Sequence, residues 1–204
     1  VPIFHSRDLV HWRQIGHCLT RDSQLPLWQI ASSCGIYAPT LRYRNGVFYM
    51  TTANVLGGGN FYVTATDPAG PWSEPIRVNH PGIDPTIFFD DDGTAYYITD
   101  GQQLSTIDIA TGAVTSDVKS IWPGTGGSYP EAPHLYKIDG WYYLMIAEGG
   151  TSFGHMVTIA RSRTIWGPYE SCPHNPILSH AHLPASPIQC TGHGDLVQAQ
   201  RAAP

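Results

Sequence analysis

Two carboxylic acids in this sequence, Asp84 and Glu131, have the residue types and the placement of an acid–base pair. Asp84 directly precedes Pro85 and Glu131 precedes Ala-Pro, so both lie at the start of a strand in two successive repeats. A carboxylate raises the pKa of a neighbouring carboxylic acid because the two charges repel, and burial adds to the shift. An acid that keeps its proton can donate it to the leaving oxygen of a glycosidic bond. The pair therefore predicts acid-assisted cleavage of a glycoside.

Two further side chains, Tyr37 and His193, lie at similar places in other repeats, so we expect all four to meet in one pocket. Taken alone, each of these four residues has an ordinary structural role, as a turn residue, as part of the core or as a surface residue. Sugar rings stack on aromatic faces, so Tyr37 and Trp28 are predicted to bind substrate. Hydrolysis also needs a carboxylate that activates water from the opposite face. No such residue stands at a strand start here, and we expect that general base upstream of Val1.

The elements that would position these residues are β-hairpins. Residues 37–50, 83–98 and 131–144 each contain a proline, an apolar strand, an Asn-Gly or Asp-Gly turn and an aromatic strand. Their prolines are separated by 46 and 48 residues. A two-residue glycine turn between two apolar strands is the sequence pattern of a hairpin. A second strand pair follows each hairpin, and residues 61–66 alternate between apolar and polar as a half-buried strand does.

A four-stranded unit that repeats every 40 to 50 residues predicts the blade of a β-propeller. We therefore expect an all-β fold, a partial five-bladed propeller that forms a single domain over the whole chain, with the first strand of each blade lining a central funnel. A β-sandwich is the alternative, but it does not explain the repeat spacing. About three complete blades are predicted, at residues 37–80, 83–122 and 131–178. Two partial blades are predicted, at residues 3–19 and 191–197.

Composition excludes several other classes of protein. Apolar residues make up 42% of the 204 residues and charged residues only 13%, which excludes a disordered chain. No apolar run is long enough to span a membrane, and a net charge of −5 argues against a nucleic-acid groove or an anionic membrane partner. The four cysteines have no zinc-ligand spacing, although one or two disulfides are compatible with them. A chain that opens on Val1 is interpreted as starting inside a longer sequence, so the compartment, extracellular or cytoplasmic, stays open.

Several motifs together resemble glycoside hydrolase family 43, in its β-xylosidase and α-L-arabinofuranosidase branch. An Asp-Pro motif, a general-acid block in two parts, a Gly-His-Gly-Asp segment and a Gly-Ile-Tyr-Ala-Pro stretch carry the resemblance. They occupy residues 84–93, 131–137 with 147–151, 191–198 and 35–39. The resemblance implies a five-bladed propeller that hydrolyses xylan- and arabinan-derived glycosides with inversion, and no cofactor.

The same resemblance implies roles for individual residues. Glu131 would be the general acid, and Asp84 would tune its pKa and orient it. His193 would lie at the funnel floor, where some members of the family hold a calcium ion. Tyr37 stands where the family usually has Trp. The family's general base belongs to an N-terminal Asp-Pro motif that this sequence lacks, so we expect this chain alone to be inactive.

Three other functions remain open at this stage. A non-catalytic carbohydrate-binding propeller would keep the funnel without turnover. A protein-interaction propeller would bind through its rim, and it should lack convergent buried carboxylates. A retaining, fructan-type propeller would carry a nucleophile closer to the acid. The expected partner is an oligosaccharide or small glycoside. The preference for xylose or arabinose, exo or endo action and the oligomeric state are left open.

Overall fold

The strands of this chain form four antiparallel sheets that follow one another along the sequence. The computed structural model describes residues 1–198. The first sheet has two strands, β1 (Pro2–Ser6) and β2 (Trp12–His17). In the turn between them, the Asp8 carboxylate accepts hydrogen bonds from two backbone amides. This sheet is the half unit expected at residues 3–19.

The second and third sheets each have four strands in simple consecutive order. The second contains β3 (Ile36–Arg44), β4 (Val47–Asn54), β5 (Gly59–Ala65) and β6 (Ile76–Arg77). The third contains β7 (Thr86–Phe89), β8 (Ala95–Thr99), β9 (Gln103–Ile107) and β10 (Lys119–Ser120), with a 3-10 turn, Asp100–Gln102, between β8 and β9.

The fourth sheet has the same order and one extra strand. It contains β11 (Glu131–Ile138), β12 (Trp141–Glu148), β13 (Met156–Ser162) and β14 (Glu170–Ser171), and β15 (Leu178–Ser179) pairs with β13. The three complete units therefore lie where the repeat predicted them. Within residues 1–198, no helix is long and apolar enough to cross a membrane.

The hairpin turns follow the chemistry that the sequence indicated. Asn45 and Gly46 have φ angles of 50° and 83°, and Asp139 and Gly140 have φ angles of 51° and 73°. A tight hairpin turn whose two central residues both have positive φ matches the twist of the flanking strands, and Asn-Gly and Asp-Gly pairs adopt it with least strain.

Three apolar cores separate the four sheets, one between each successive pair. The strand β5 contributes to two of them, because Phe61 and Val63 face the first sheet while Tyr62 faces the third. The prediction of a half-buried strand at residues 61–66 was therefore wrong: sheets stack on both faces of β5 and bury both. Face-to-face stacking of successive sheets is the arrangement of propeller blades.

Residues 191–197, expected to start a fifth unit, contain no strand. A strand needs a neighbour with which to exchange backbone hydrogen bonds, and within the described residues this segment exchanges none with another strand. The ring of sheets is open. A cavity of about 900 Å³ opens between the C-terminal halves of the inner strands and is lined by Leu41, Arg44, Phe89, Tyr136 and Ile138, among others.

A buried carboxylate, Asp90, joins the third sheet to the fourth. It accepts hydrogen bonds from the Tyr142 hydroxyl at 2.5 Å and from the Lys137 ammonium at 2.6 Å. Hydrogen bonds to a charged, poorly solvated group are among the stronger ones in proteins. This contact therefore helps to fix the angle between the two sheets that carry Asp84 and Glu131.

We predict that Tyr142→Phe lowers the free energy of unfolding by about 1–3 kcal/mol, because it removes one donor from the Asp90 carboxylate. Urea denaturation measures the effect. Tyr96→Phe is the matched control: Tyr96 lies in the same core, and within the described residues its hydroxyl makes no hydrogen bond. Equal losses in the two variants would contradict a specific role for the Tyr142 hydroxyl.

Candidate active site

The inner strands β3, β7 and β11 share an unusual backbone conformation where they start. Ala38, Asp84 and Ala132 each precede a proline and have φ angles of 36°, 53° and 54°. Residues other than glycine adopt this left-handed conformation at a cost of roughly 1 kcal/mol or more. The strands β3 and β11 also have a register shift at this point. Three sheets therefore build the same strained start at the end of the ring where the acids lie.

This conformation corrects the alignment of the repeats by one residue. Asp84 matches Ala38 and Ala132, whereas Glu131 matches Tyr37. The two acids therefore occupy adjacent rather than identical positions of the repeat. The offset brings them together, because the backbone amide of Ala132, the residue next to Glu131, lies close enough to the Asp84 carboxylate to lower its pKa.

Both acids have raised pKa values. Burial raises the pKa of Asp84 to about 6, the nearby charge of Asp100 adds to the shift, and the Ala132 amide opposes it. Burial is also the main cause of the raised pKa of Glu131, and the charge of Asp84 is the next. His193 lies close enough to oppose that shift. The structure thus brings Asp84, Glu131 and His193 to one place.

Asp100 is a third carboxylate at this site, and the sequence analysis missed it. It follows β8, and its charge raises the pKa of both Asp84 and Glu131. The sequence analysis considered the starts of the inner strands, whereas Asp100 lies beyond the end of the second strand of its hairpin. Because β7 and β8 pair as antiparallel strands, the end of β8 lies beside the start of β7. That pairing is the signal from which the sequence analysis could have identified Asp100.

Glu148, part of the general-acid block in the sequence, has a different environment. Burial acts to raise its pKa, but hydrogen bonds outweigh it and lower the pKa. The Thr158 and Thr125 hydroxyls donate to this fully buried carboxylate, as do the Thr125 and Gly127 amides. Glu148 is therefore an ionised structural residue that holds the loop leading to β11.

The segment that carries His193 is held at the funnel by an ion pair. Asp195 accepts hydrogen bonds from the Arg42 guanidinium at 2.6 Å and from the Tyr136 hydroxyl at 2.6 Å. Arg42 lies on β3 and Tyr136 on β11. The segment thus contacts two different sheets without pairing with either as a strand.

A buried histidine, His134, lies beneath His193. Burial lowers the pKa of His134 to about 4, so it is neutral near pH 7. Its Nδ1 lies 3.0 Å from the Arg42 guanidinium and 2.9 Å from the Thr86 hydroxyl. Its ring centroid is 6.4 Å from that of His193. Three sheets and the His193 segment therefore converge on a polar floor.

The two aromatic residues expected to bind substrate lie on β3 and in the loop before it. Tyr37 lies at the start of β3, and its hydroxyl donates to the Ser33 carbonyl at 2.7 Å. Trp28 lies in the loop before β3 with 84% of its surface exposed. Among residues 1–198, no hydrogen bond or ring contact joins either side chain to Asp84 or Glu131. Their roles in substrate binding stay predictions.

Within the described part of the chain, no group of three or more His, Cys, Asp or Glu side chains is arranged to hold a metal ion. Calcium prefers several oxygen ligands, whereas His193 has imidazole neighbours and Asp195 is paired with Arg42. A calcium ion near His193 stays a prediction from the resemblance. The four cysteines are unpaired.

The family of this chain follows from a comparison with known proteins. The model of glycosyl hydrolases family 43 matches residues 1–203. The chain belongs to that family. A xylosidase/arabinosidase of Butyrivibrio fibrisolvens is 48% identical over 97% of this chain and 42% of its own length. A non-reducing end α-L-arabinofuranosidase of Bacteroides ovatus is also 48% identical, over 97% of this chain and 39% of its own length.

Solved structures of family 43 show the same fold. The xylan β-1,4-xylosidase of Bacillus halodurans superposes with a TM-score of 0.93 at 41% identity, covering 98% of this chain and 42% of that one. The structural relatives are five-bladed propellers, so the propeller prediction is confirmed, and this chain forms part of one. The chain spans about 40% of the length of these curated and structural relatives.

We predict that Gly192→Ala displaces His193, because a Cβ at position 192 would lie 2.3 Å from ring atoms of His155. The imidazole NMR signals of His155 and His193 should shift, and the Leu196 amide, which donates to the Tyr136 hydroxyl, should exchange roughly tenfold faster. Gly194→Ala is the matched control, since its Cβ would meet nothing closer than 3.8 Å. Identical spectra for both variants would contradict this packing.

Proposed function

We propose that this chain is the acid-bearing part of an inverting glycosidase that acts on pentosides derived from xylan or arabinan. Glu131 is the general acid, and Asp84 raises its pKa and orients it. One observation carries the proposal: the buried Asp84 lies close enough to Glu131 for its charge to raise the pKa of Glu131, and the pKa values of both acids are raised. Membership of family 43 supports the same reaction class.

The local electrostatics suit proton donation by Glu131. A general acid must be protonated at the working pH and must ionise as the leaving oxygen takes the proton. Above pH 6, Asp84 is ionised and its charge disfavours loss of the Glu131 proton. Glu131 is only partly buried, so its carboxyl stays accessible from the funnel.

The general base is proposed to come from a part of the propeller outside these 204 residues. An inverting glycosidase holds its two carboxyl groups about 6.5–9.5 Å apart, with water and the scissile bond between them. Asp100, the other carboxylate at the site, is assigned a different role, since its Oδ1 accepts a hydrogen bond from the backbone amide of Ile83. The relatives, more than twice as long as this chain, have room for the missing blades.

The substrate class is inferred from the relatives. Their names include xylosidase, arabinosidase, α-L-arabinofuranosidase and xylan β-1,4-xylosidase. Both sugars are pentoses that similar funnels accommodate. We propose β-D-xylosides and α-L-arabinofuranosides as substrates, with Tyr37 and Trp28 as candidate aromatic platforms and His193 at the funnel floor.

We predict that Glu131→Gln in the full-length propeller lowers kcat by about 10²–10⁴ for natural glycosides, because the glutamine amide cannot donate the proton. Activated aryl glycosides should lose less, since their leaving groups need less protonation. Hydrolysis of xylobiose and of nitrophenyl β-D-xyloside and α-L-arabinofuranoside measures both effects. Glu170→Gln, an exposed glutamate paired with Arg161, is the matched control.

Three outcomes would overturn parts of the proposal. Unchanged kcat in Glu131→Gln would remove Glu131 from the reaction, and ligand binding without turnover would favour a carbohydrate-binding propeller. A retained anomeric configuration in the first product, read by NMR, would contradict inversion. Turnover by the 204-residue chain alone, lost in Glu131→Gln, would place the general base within this chain.

A further inference from the structure

The 3-10 turn Asp100–Gln102 contacts the residues directly before both acids. The Asp100 amide donates to the carbonyl of Ile83, the residue before Asp84, at 3.0 Å. The Gly101 amide donates to the carbonyl of Pro130, the residue before Glu131, at 3.0 Å. One turn in the third sheet therefore reaches the starts of β7 and β11, which lie in different sheets.

A second donor strengthens the contact with the fourth sheet. The Gln102 side chain is fully buried, and its amide group donates to the same Pro130 carbonyl at 3.1 Å. Gly101 and Gln102 both have positive φ angles, 64° and 51°. The strained backbone of this turn is therefore held in place by contacts across the sheet boundary.

The carboxylate of Asp100 adds a contact that the other sheets do not have. The backbone amide of Ile83 donates to Asp100 Oδ1 at 2.7 Å. At the matching positions of the second and fourth sheets, the Val55 and Gly149 amides donate to the carbonyls of Gly35 and Ser128, which precede β3 and β11, at 2.9 and 2.7 Å. Because Val and Gly occupy these positions, the backbone hydrogen bond at the end of the hairpin does not require a carboxylate.

The chain next to Ile83 leaves room for this carboxylate. Gly82 has a φ angle of +82°, and a Cβ there would lie 2.1 Å from Asp100 Oδ1. A side chain at this position would therefore exclude the carboxylate. The loop before Asp84 is shaped around Asp100.

We propose that Asp100 is a positioning residue for the two acids: its carboxylate and the turn that it begins fix the spacing of Asp84 and Glu131 across two sheets. The proposal rests on the proposed function for the roles of those acids, but the arrangement itself does not. Apart from the turn, the Thr86 hydroxyl at the start of β7 also contacts His134 on β11, at 2.9 Å, but this contact lies beyond the two acids along the strands.

The negative charge of Asp100 is a separate contribution from its hydrogen bonds. The titratable groups near it are Asp84, Glu131 and His80. The charge adds to the effect of burial in raising the pKa of Asp84 and of Glu131, and it opposes the effect of burial on His80. Substitution by Asn removes the charge and keeps an oxygen acceptor, whereas substitution by Ala removes both.

The experiment is NMR on the 204-residue chain, with ¹³C-labelled carboxyl groups and amide hydrogen exchange. In Asp100→Asn, the Ile83 amide should exchange within about threefold of the wild-type rate. The pKa of Asp84 should fall but stay above 3.8, because burial remains. In Asp100→Ala, Ile83 should exchange at least tenfold faster, and the carboxyl signals of both Asp84 and Glu131 should shift.

Asp92→Asn is the matched control, since Asp92 Oδ1 also accepts a backbone amide, that of Thr94, on the same sheet. It should leave Ile83, Asp84 and Glu131 unchanged. Wild-type exchange at Ile83 together with unshifted Asp84 and Glu131 signals in Asp100→Ala would overturn the proposal. If that variant does not fold, Gly82→Ala replaces it, since its Cβ would displace the Asp100 carboxylate, and the same unchanged exchange and signals would overturn the proposal. No turnover is measured, so these outcomes are independent of the glycosidase assignment.

Discussion

Two carboxyl groups held together in a poorly hydrated funnel are the constraint on which the rest of this structure depends. Bringing Asp84 beside Glu131 costs free energy, because burial and mutual repulsion both oppose ionisation. That cost has to be offset elsewhere in the fold. Three apolar cores between the sheets, the Asp90 contact across the last two sheets and the turn at Asp100 together keep the acids from moving apart.

The repeated units share one backbone geometry, and different residues at the same position of the repeat give the units different chemical properties. The second strand of each hairpin ends in a fully buried polar residue, which is Asn54, Thr99 or Glu148. In all three sheets the backbone amide of the next residue donates to a carbonyl that precedes the inner strand. These residues are Val55, Asp100 and Gly149, and only Asp100 carries a charge. Two buried carboxylates in neighbouring sheets thus differ in charge state: hydrogen bonds keep Glu148 ionised, whereas burial and the charge of Asp100 raise the pKa of Asp84.

Much of the fold could be predicted from the sequence, because hairpin turns and strand alternation are local signals. The spacing of the prolines was enough to place three sheets and to bring Asp84 and Glu131 to one end of the ring. The one-residue offset between the acids is visible when the repeats are aligned on their prolines, and treating Asp84 and Glu131 as equivalent positions was wrong. The left-handed residue and the register shift at the strand starts are what side-chain patterns do not reveal.

The remaining features of the site depend on contacts between distant parts of the chain. Arg42 and Asp195 are 153 residues apart and meet only because the sheets curve around one axis. Asp100 belongs to no motif that the sequence analysis recognised. Its role follows from the backbone groups with which it forms hydrogen bonds. Trp28 had the right residue type for a sugar platform, but its position in an exposed loop leaves that role to be measured.

The most direct test of the account is the titration of Glu131 in the wild-type chain and in Asp84→Asn, followed by ¹³C NMR of the labelled carboxyl group. The account predicts that the pKa of Glu131 falls in the variant, because the repelling charge is gone while burial is unchanged. The two titration curves should differ where Asp84 is ionised, and they should converge at low pH, where Asp84 is uncharged in the wild-type chain and Glu131 is protonated in both proteins. An identical titration curve in the two proteins would show that the acids do not share one site, and would contradict the account.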